Sequence, residues 1–221
     1  MRNSLIAALL IVSVSALLGI SRAYNIPSSS EPLKAVQDSS ISKVVPLGSR
    51  ERDTISVREA DLLAARKLAP VGTKSLLKVP AVMRHGDFVW NDEGVAEGKL
   101  SIWVDLRRQM ISAFRDGHEI GTSVIIYGAE DRTSPEGRFP ILNKQRHYHS
   151  RTYDAPMPAS LFITNDGVAL HGSPMSSRRA SHGCIGLPVE FAEKLFDASE
   201  VGDIVEIIRS AEVENAQQLL E

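Results

Sequence analysis

The stretch from Leu100 to Gly128 constrains the fold most. Leu100-Ser-Ile-Trp-Val-Asp-Leu alternates apolar and polar side chains, Met110-Ile-Ser-Ala-Phe repeats the pattern, and Glu119-Ile-Gly-Thr-Ser-Val-Ile-Ile-Tyr-Gly128 follows the pair Asp116-Gly117. A period of two turns one face of a strand to a core and the other to water, and Asp-Gly between two such runs signals a tight hairpin. Three strands in series predict a meander, so the domain beyond Leu76 is expected to be mainly β rather than built of alternating strand and helix units.

Further short β-rich runs are expected at Phe139 to Leu142, Ser160 to Thr164, Val168 to His171 and Val201 to Ile208, with Asn165-Asp166-Gly167 as a turn. His147 to Pro158 reads as an aromatic stretch broken by proline. Two short helices are expected. Leu62, Leu63, Ala65 and Leu68 have helical spacing, with acids before them, Arg66 and Lys67 late, and Pro70 beyond. Pro188 suits a first helical residue, and Phe191, Leu195 and Phe196 supply an apolar stripe after it.

The chain begins with Arg2, an apolar run from Leu5 to Ile20 and a small-residue exit at Ser21-Arg22-Ala23, the form of a secretory signal peptide cleaved after Ala23. An uncleaved anchor is the alternative, but the run is shorter than the roughly 20 residues of a spanning helix. Contact with the membrane would then be transient, and the mature chain would reside in the periplasm or cell wall. Loss of Arg2 and Arg22 takes the formal charge from −2 to −4, and the basic residues are interspersed with acids, which argues against a nucleic-acid partner. Residues 24–75 are expected to form a flexible linker carrying the short helix, 76–97 a lead-in, 98–209 the catalytic domain and 210–221 a C-terminal tail.

Chemistry gathers between Leu170 and Pro188, Leu-His-Gly-Ser-Pro-Met-Ser-Ser-Arg-Arg-Ala-Ser-His-Gly-Cys-Ile-Gly-Leu-Pro. Cys184 is the sole cysteine, so it can form no internal disulfide, and in a secreted chain it reads as a reactive thiol. Gly183 and Gly186 bracket it and permit tight backbone geometry, which allows consecutive amides to converge on one point. A thiol with a pKa of about 8.5 is mostly protonated at neutral pH, so nucleophilic work needs a base. His171, thirteen positions earlier at a strand end, is the candidate. The carbonyl of Gly172 or the hydroxyl of Ser173 can hold the other ring nitrogen, and the amides of Gly183 and Cys184 can receive an oxyanion.

His171-Gly-Ser followed by Ser181-His-Gly-Cys-Ile resembles the signature of the YkuD-type L,D-transpeptidase catalytic domain, a bacterial cell-wall family. Ile102-Trp-Val-Asp-Leu-Arg-Arg-Gln-Met resembles the opening strand of that family, Asp116-Gly117 its hairpin, and Thr133-Ser-Pro-Glu-Gly-Arg-Phe-Pro-Ile its Thr-Pro-x-Gly-x-Phe loop. The resemblance implies a β-sandwich-like fold acting on peptidoglycan stem peptides, with Cys184 as nucleophile, His171 as base and Gly172 as orienter, and with no metal or cofactor. It implies attack on a tetrapeptide donor, a thioester, and transfer to an amine in 3→3 cross-linking or D-amino-acid exchange; water or a protein amine serves as acceptor in some members. The family usually carries arginine two positions after the cysteine, where this chain has Gly186; Arg178 or Arg179 either takes over that role or simply solvates the loop. The loop between His171 and Cys184 is also short for the family.

Ser181, His182, Gly183, Ser173 and Tyr153 are assigned to oxyanion or substrate binding, His182 alternatively to shaping the turn. His147 and His149 either line the groove or cover a core edge. Two other classes compete. A zinc hydrolase using His171, His182 and Cys184 lacks the usual short ligand pairs. A non-catalytic peptidoglycan-binding module with a degenerate motif draws its support from Gly186.

Overall fold

The computed structural model describes residues 52–128, 133–175 and 183–210. The expected signal peptide, the linker to residue 51, the tail from 211, and Arg178, Arg179, Ser181 and His182 lie outside the described residues.

In chain order the elements are β1 (Arg52–Thr54), α1 (Val57–Ala65), β2 (Ser75–Leu77), β3 (Phe88–Trp90), β4 (Leu100–Asp105), β5 (Met110–Arg115), β6 (His118–Val124), β7 (Gly137–Pro140), β8 (Asn143–Ser150), β9 (Ala155–Phe162), β10 (Ala169–Gly172), β11 (Ile185–Leu187), α2 (Val189–Ala198) and β12 (Ile204–Ile208). The fold is mainly β with two helices. A larger sheet runs β1-β2-β6-β5-β4-β12-β7, with β3 also on β6, and a smaller one runs β11-β10-β9-β8.

The meander β4-β5-β6 is antiparallel throughout, as the alternation requires. Asp116 and Gly117 both take positive φ, +46° and +80°, the geometry of a two-residue turn whose twist matches its strands. Alternate residues Leu100, Ile102 and Val104 face inward and meet Leu170, Ile185 and Leu187 of the smaller sheet and Phe191 and Leu195 of α2 in one core. Phe191 packs edge-on to Trp90, centroids 5.6 Å apart, and fully burying such a ring contributes roughly 1.5–3 kcal/mol.

Residues 52–75, expected within the linker, carry β1, α1 and the start of β2. β1 pairs with β2, β2 touches β6 at Ser75 and His118, and the Arg52 guanidinium donates to the carbonyls of Glu119 and Asn91. α1 is closed by a capping box, with Glu59 N donating to Ser56 Oγ (3.3 Å) and Ser56 N to Glu59 Oε2 (2.8 Å), and only Ala60 of this helix is buried.

The stretch His147 to Pro158, read as broken, is instead most of a long hairpin of β8 and β9. Pro156 and Pro158 pair with His149 and His147 of β8, while β10 reaches along β9 only to Leu161 and Phe162, so at both prolines β9 has a strand on one side alone, an edge position where a missing N–H is tolerated. Ala159 has φ +53°, and the β8–β9 ladder leaves out its pair with Arg146 while keeping the same register on both sides.

Candidate active site

The site is set by the parallel pairing of β10 and β11, in which Leu170 opposes Ile185 and His171 opposes Gly186. Leu170, Ile185 and Leu187 point into the core, so the alternation sends Ala169, His171 and Ser173 to the opposite face together with Gly186. Continuing the register by one pair sets Cys184 beside Ala169, on the same face as His171. With strands about 4.8 Å apart and a rise of about 3.3 Å per residue, ideal geometry puts their Cα atoms about 8 Å apart diagonally.

His171 is buried, 9% exposed, and its Nδ1 lies 2.9 Å from the carbonyl oxygen of Gly172. A carbonyl only accepts, so Nδ1 carries the hydrogen and Nε2 presents its lone pair. Burial, partly opposed by this hydrogen bond, lowers the pKa of His171 below its ordinary 6.5 and leaves the ring neutral at pH 7. Of the two expected orienters, Gly172 makes the bond. Ser173 uses its amide to pair with Leu187 O at 2.8 Å, and its side chain lies beside Gly186.

Cys184 is half-buried, and its thiol donates to Gly167 O at 3.7 Å. Burial raises its pKa above the ordinary 9.0; a hydrogen bond from the Ala169 backbone lowers it and the charge of Asp166 raises it again. Thiol and imidazole therefore rest as a neutral pair rather than as thiolate and imidazolium. Gly183, buried with φ +98°, supplies the left-handed turn into Cys184. Tyr153 lies at the tip of the β8–β9 hairpin, beyond the Ser150–Ala155 pair, with its amide donating to Ser150 Oγ at 3.3 Å. Among the described residues no cluster of three or more His, Cys, Asp or Glu can hold a metal ion.

Sequence reasoning missed two contributors. The Asn165-Asp166-Gly167 segment, read only as a turn closing a strand, brings a carbonyl and a carboxylate to the thiol. Ile126 bridges to Gly186, with Gly186 N donating to Ile126 O at 2.7 Å and Ile126 N to Gly186 O at 3.0 Å, and so edges the strand that follows the cysteine. Both proximities are tertiary, and no local spacing signals them.

Residues 99–207 match the YkuD family, the L,D-transpeptidase catalytic domain. Those residues belong to this family. The chain shares 30% identity over 134 residues with L,D-transpeptidase 1 of Mycobacterium tuberculosis, covering 52% of this chain and 53% of that protein. The chain thus spans about half the length of the curated relatives it matches. Among solved structures, an L,D-transpeptidase from Stackebrandtia nassauensis is 24% identical with a TM-score of 0.48, over 52% of this chain and 58% of that one. The Enterococcus faecium L,D-transpeptidase is 26% identical with a TM-score of 0.46, over 51% and 50%.

Proposed function

We propose that this YkuD domain is a cysteine-dependent L,D-transpeptidase acting on peptidoglycan stem tetrapeptides. The observation that carries the reading is the shared face of His171 and Cys184, with the ring's Nδ1 tied to Gly172 O so that Nε2 is the base. Because the resting pair is neutral, the proton leaves sulfur for Nε2 as attack proceeds. The sulfur bonds to the carbonyl carbon before the terminal D-residue, and the oxyanion draws on the amides of Gly183 and Cys184. Collapse breaks the C–N bond, and the imidazolium returns the proton to the departing amine. An amine acceptor then attacks the thioester and gives its proton to His171; the C–S bond breaks, and the imidazolium returns that proton to sulfur, which restores the Cys184 thiol. The buried surroundings of His171 favour this route by holding the ring as a ready acceptor.

Incubation of the full chain with disaccharide-tetrapeptides, read by mass spectrometry, is expected to give D-alanine together with cross-linked dimers or exchanged D-amino acids, and an acyl mass on Cys184. Undiminished turnover by Cys184→Ala would overturn the proposal. Secretion across the inner membrane to the periplasm or wall follows from the same reading, tested by N-terminal sequencing of the exported protein.

A further inference from the structure

Phe162 pairs with Ala169, which stands beside Cys184, so Phe162 lies on the same sheet face as the thiol and His171. A shallow, open groove of about 400 Å³ crosses this face between the start of β8 and the β9–β10 turn. Its floor is the half-buried pair Tyr148 and Phe162, with rings edge-on at 87° and centroids 5.0 Å apart. Around them stand Asn143, Gln145, Thr164 and Asn165. The groove ends at Gly167, whose carbonyl accepts from the Cys184 thiol, so the groove and the thiol share a wall.

The lining chemistry selects a ligand class. Among the described residues no charged side chain lines the groove, so those residues offer a carboxylate-rich peptide no counter-charge. The polar groups are neutral and outward. Asn143 Oδ1 accepts from Lys144 N at 2.7 Å, which leaves its NH₂ to donate to a ligand. Thr164 Oγ1 accepts from Val168 N at 3.0 Å and keeps its hydrogen to give. Gln145 and Asn165 are exposed and offer both donor and acceptor. An aromatic floor rimmed by carboxamides and a hydroxyl suits a flat, neutral, polyhydroxylated molecule whose C–H face lies on a ring while its hydroxyl and acetamido groups meet the rim.

We infer that this groove binds a neutral N-acetylated sugar chain and so holds glycan beside the thiol. The inference deepens the proposed activity by naming the sugar part of its substrate, and it rests on that reading only for the purpose of the site, since sugar binding needs no reactive cysteine.

The test uses the full chain as Cys184→Ala, titrated calorimetrically with a peptide-free β-1,4-linked N-acetylglucosamine tetramer. Saturable binding is expected, weakened about fivefold by Gln145→Ala and by Asn165→Ala, exposed positions whose folding is checked by thermal melting. Tyr148→Ala is expected to weaken it further. No saturable binding, or binding indifferent to all three substitutions, overturns the inference. In chains retaining Cys184, Gln145→Ala is expected to raise KM for a disaccharide-tetrapeptide and leave that for the sugar-free tetrapeptide unchanged. Equal KM effects on both overturn it as well, while turnover itself still upholds the transpeptidase. Sugar binding in a chain that turns over neither donor would uphold the groove and sink the activity.

Discussion

The side chain of Ile126 fills the space that a side chain at Gly186 would need. A Cβ at 186 would stand 2.6 Å from Ile126 Cγ1, and 3.0 Å from both Ile126 Cδ1 and Ser173 Cβ. This is the position where the family usually has arginine, and here the strand after the cysteine is instead closed by the two hydrogen bonds to Ile126. Gly186 is thus part of the packing.

Gly186→Ala is therefore expected to cost about 1–3 kcal/mol through overpacking, a fall in Tm of about 2–4 °C per kcal/mol for a domain of this size. Ile126→Ala is destabilising by itself, but the double variant should lose less than the sum of the two, because removing Ile126 makes room for the new methyl. Additive losses in a denaturant melt would mean that the clash is not the cause.

Activity should follow the neutral pair. Burial lowers the pKa of His171 and raises that of Cys184, so the competent form, neutral imidazole with thiol, spans a wide plateau. Turnover at low substrate is expected to rise as pH climbs through a value below 6.5 and to hold up to at least pH 9. A bell centred on a thiolate–imidazolium window, with alkylation of Cys184 rapid at pH 6, would contradict that arrangement.

Glu119 is buried in the larger sheet, with Oε2 accepting from Leu77 N at 2.8 Å. Burial raises its pKa above 4.5, opposed by hydrogen bonds from Ser112 and Leu77 and by the charge of Arg52. A raised folded pKa means that the native state holds the proton more tightly than the unfolded chain, so this contribution is complete below pH 4.5 and is lost as pH rises through the folded value. Glu119→Gln keeps an acceptor for Leu77 and removes the ionisation. Relative to the parent chain, its stability should improve as pH climbs from 4.5 toward 8, measured by urea melts at each pH. A constant difference across that range would refute the assignment.

Gly117→Ala is expected to destabilise the meander by more than 1 kcal/mol, roughly the cost of a left-handed residue carrying a Cβ, since φ is +80° and the new atom would stand 2.2 Å from Gly72 O. A drop in Tm with unchanged kcat per folded molecule would place the effect in the scaffold; an unchanged Tm would show that the turn adapts.

Alternation around Asp116-Gly117, the helical stripe of Phe191, Leu195 and Phe196, and the His-Gly and Ser-His-Gly-Cys motifs were all legible in the sequence, because each is a local pattern of period, turn chemistry or residue type. The β8–β9 hairpin was not legible, since its prolines are tolerated only where β10 leaves an edge unpaired. Nor was the membership of β1 in the main sheet, which depends on Arg52 reaching carbonyls of two distant strands. Sequence alone named the cysteine and the histidine. Only the tertiary structure decided that parallel pairing of β10 and β11 sets them on one face, that Gly167 borders the thiol, and that Ile126 takes the place of a side chain at 186. Side-chain facing follows from strand register, and register is settled by partners far apart in the chain.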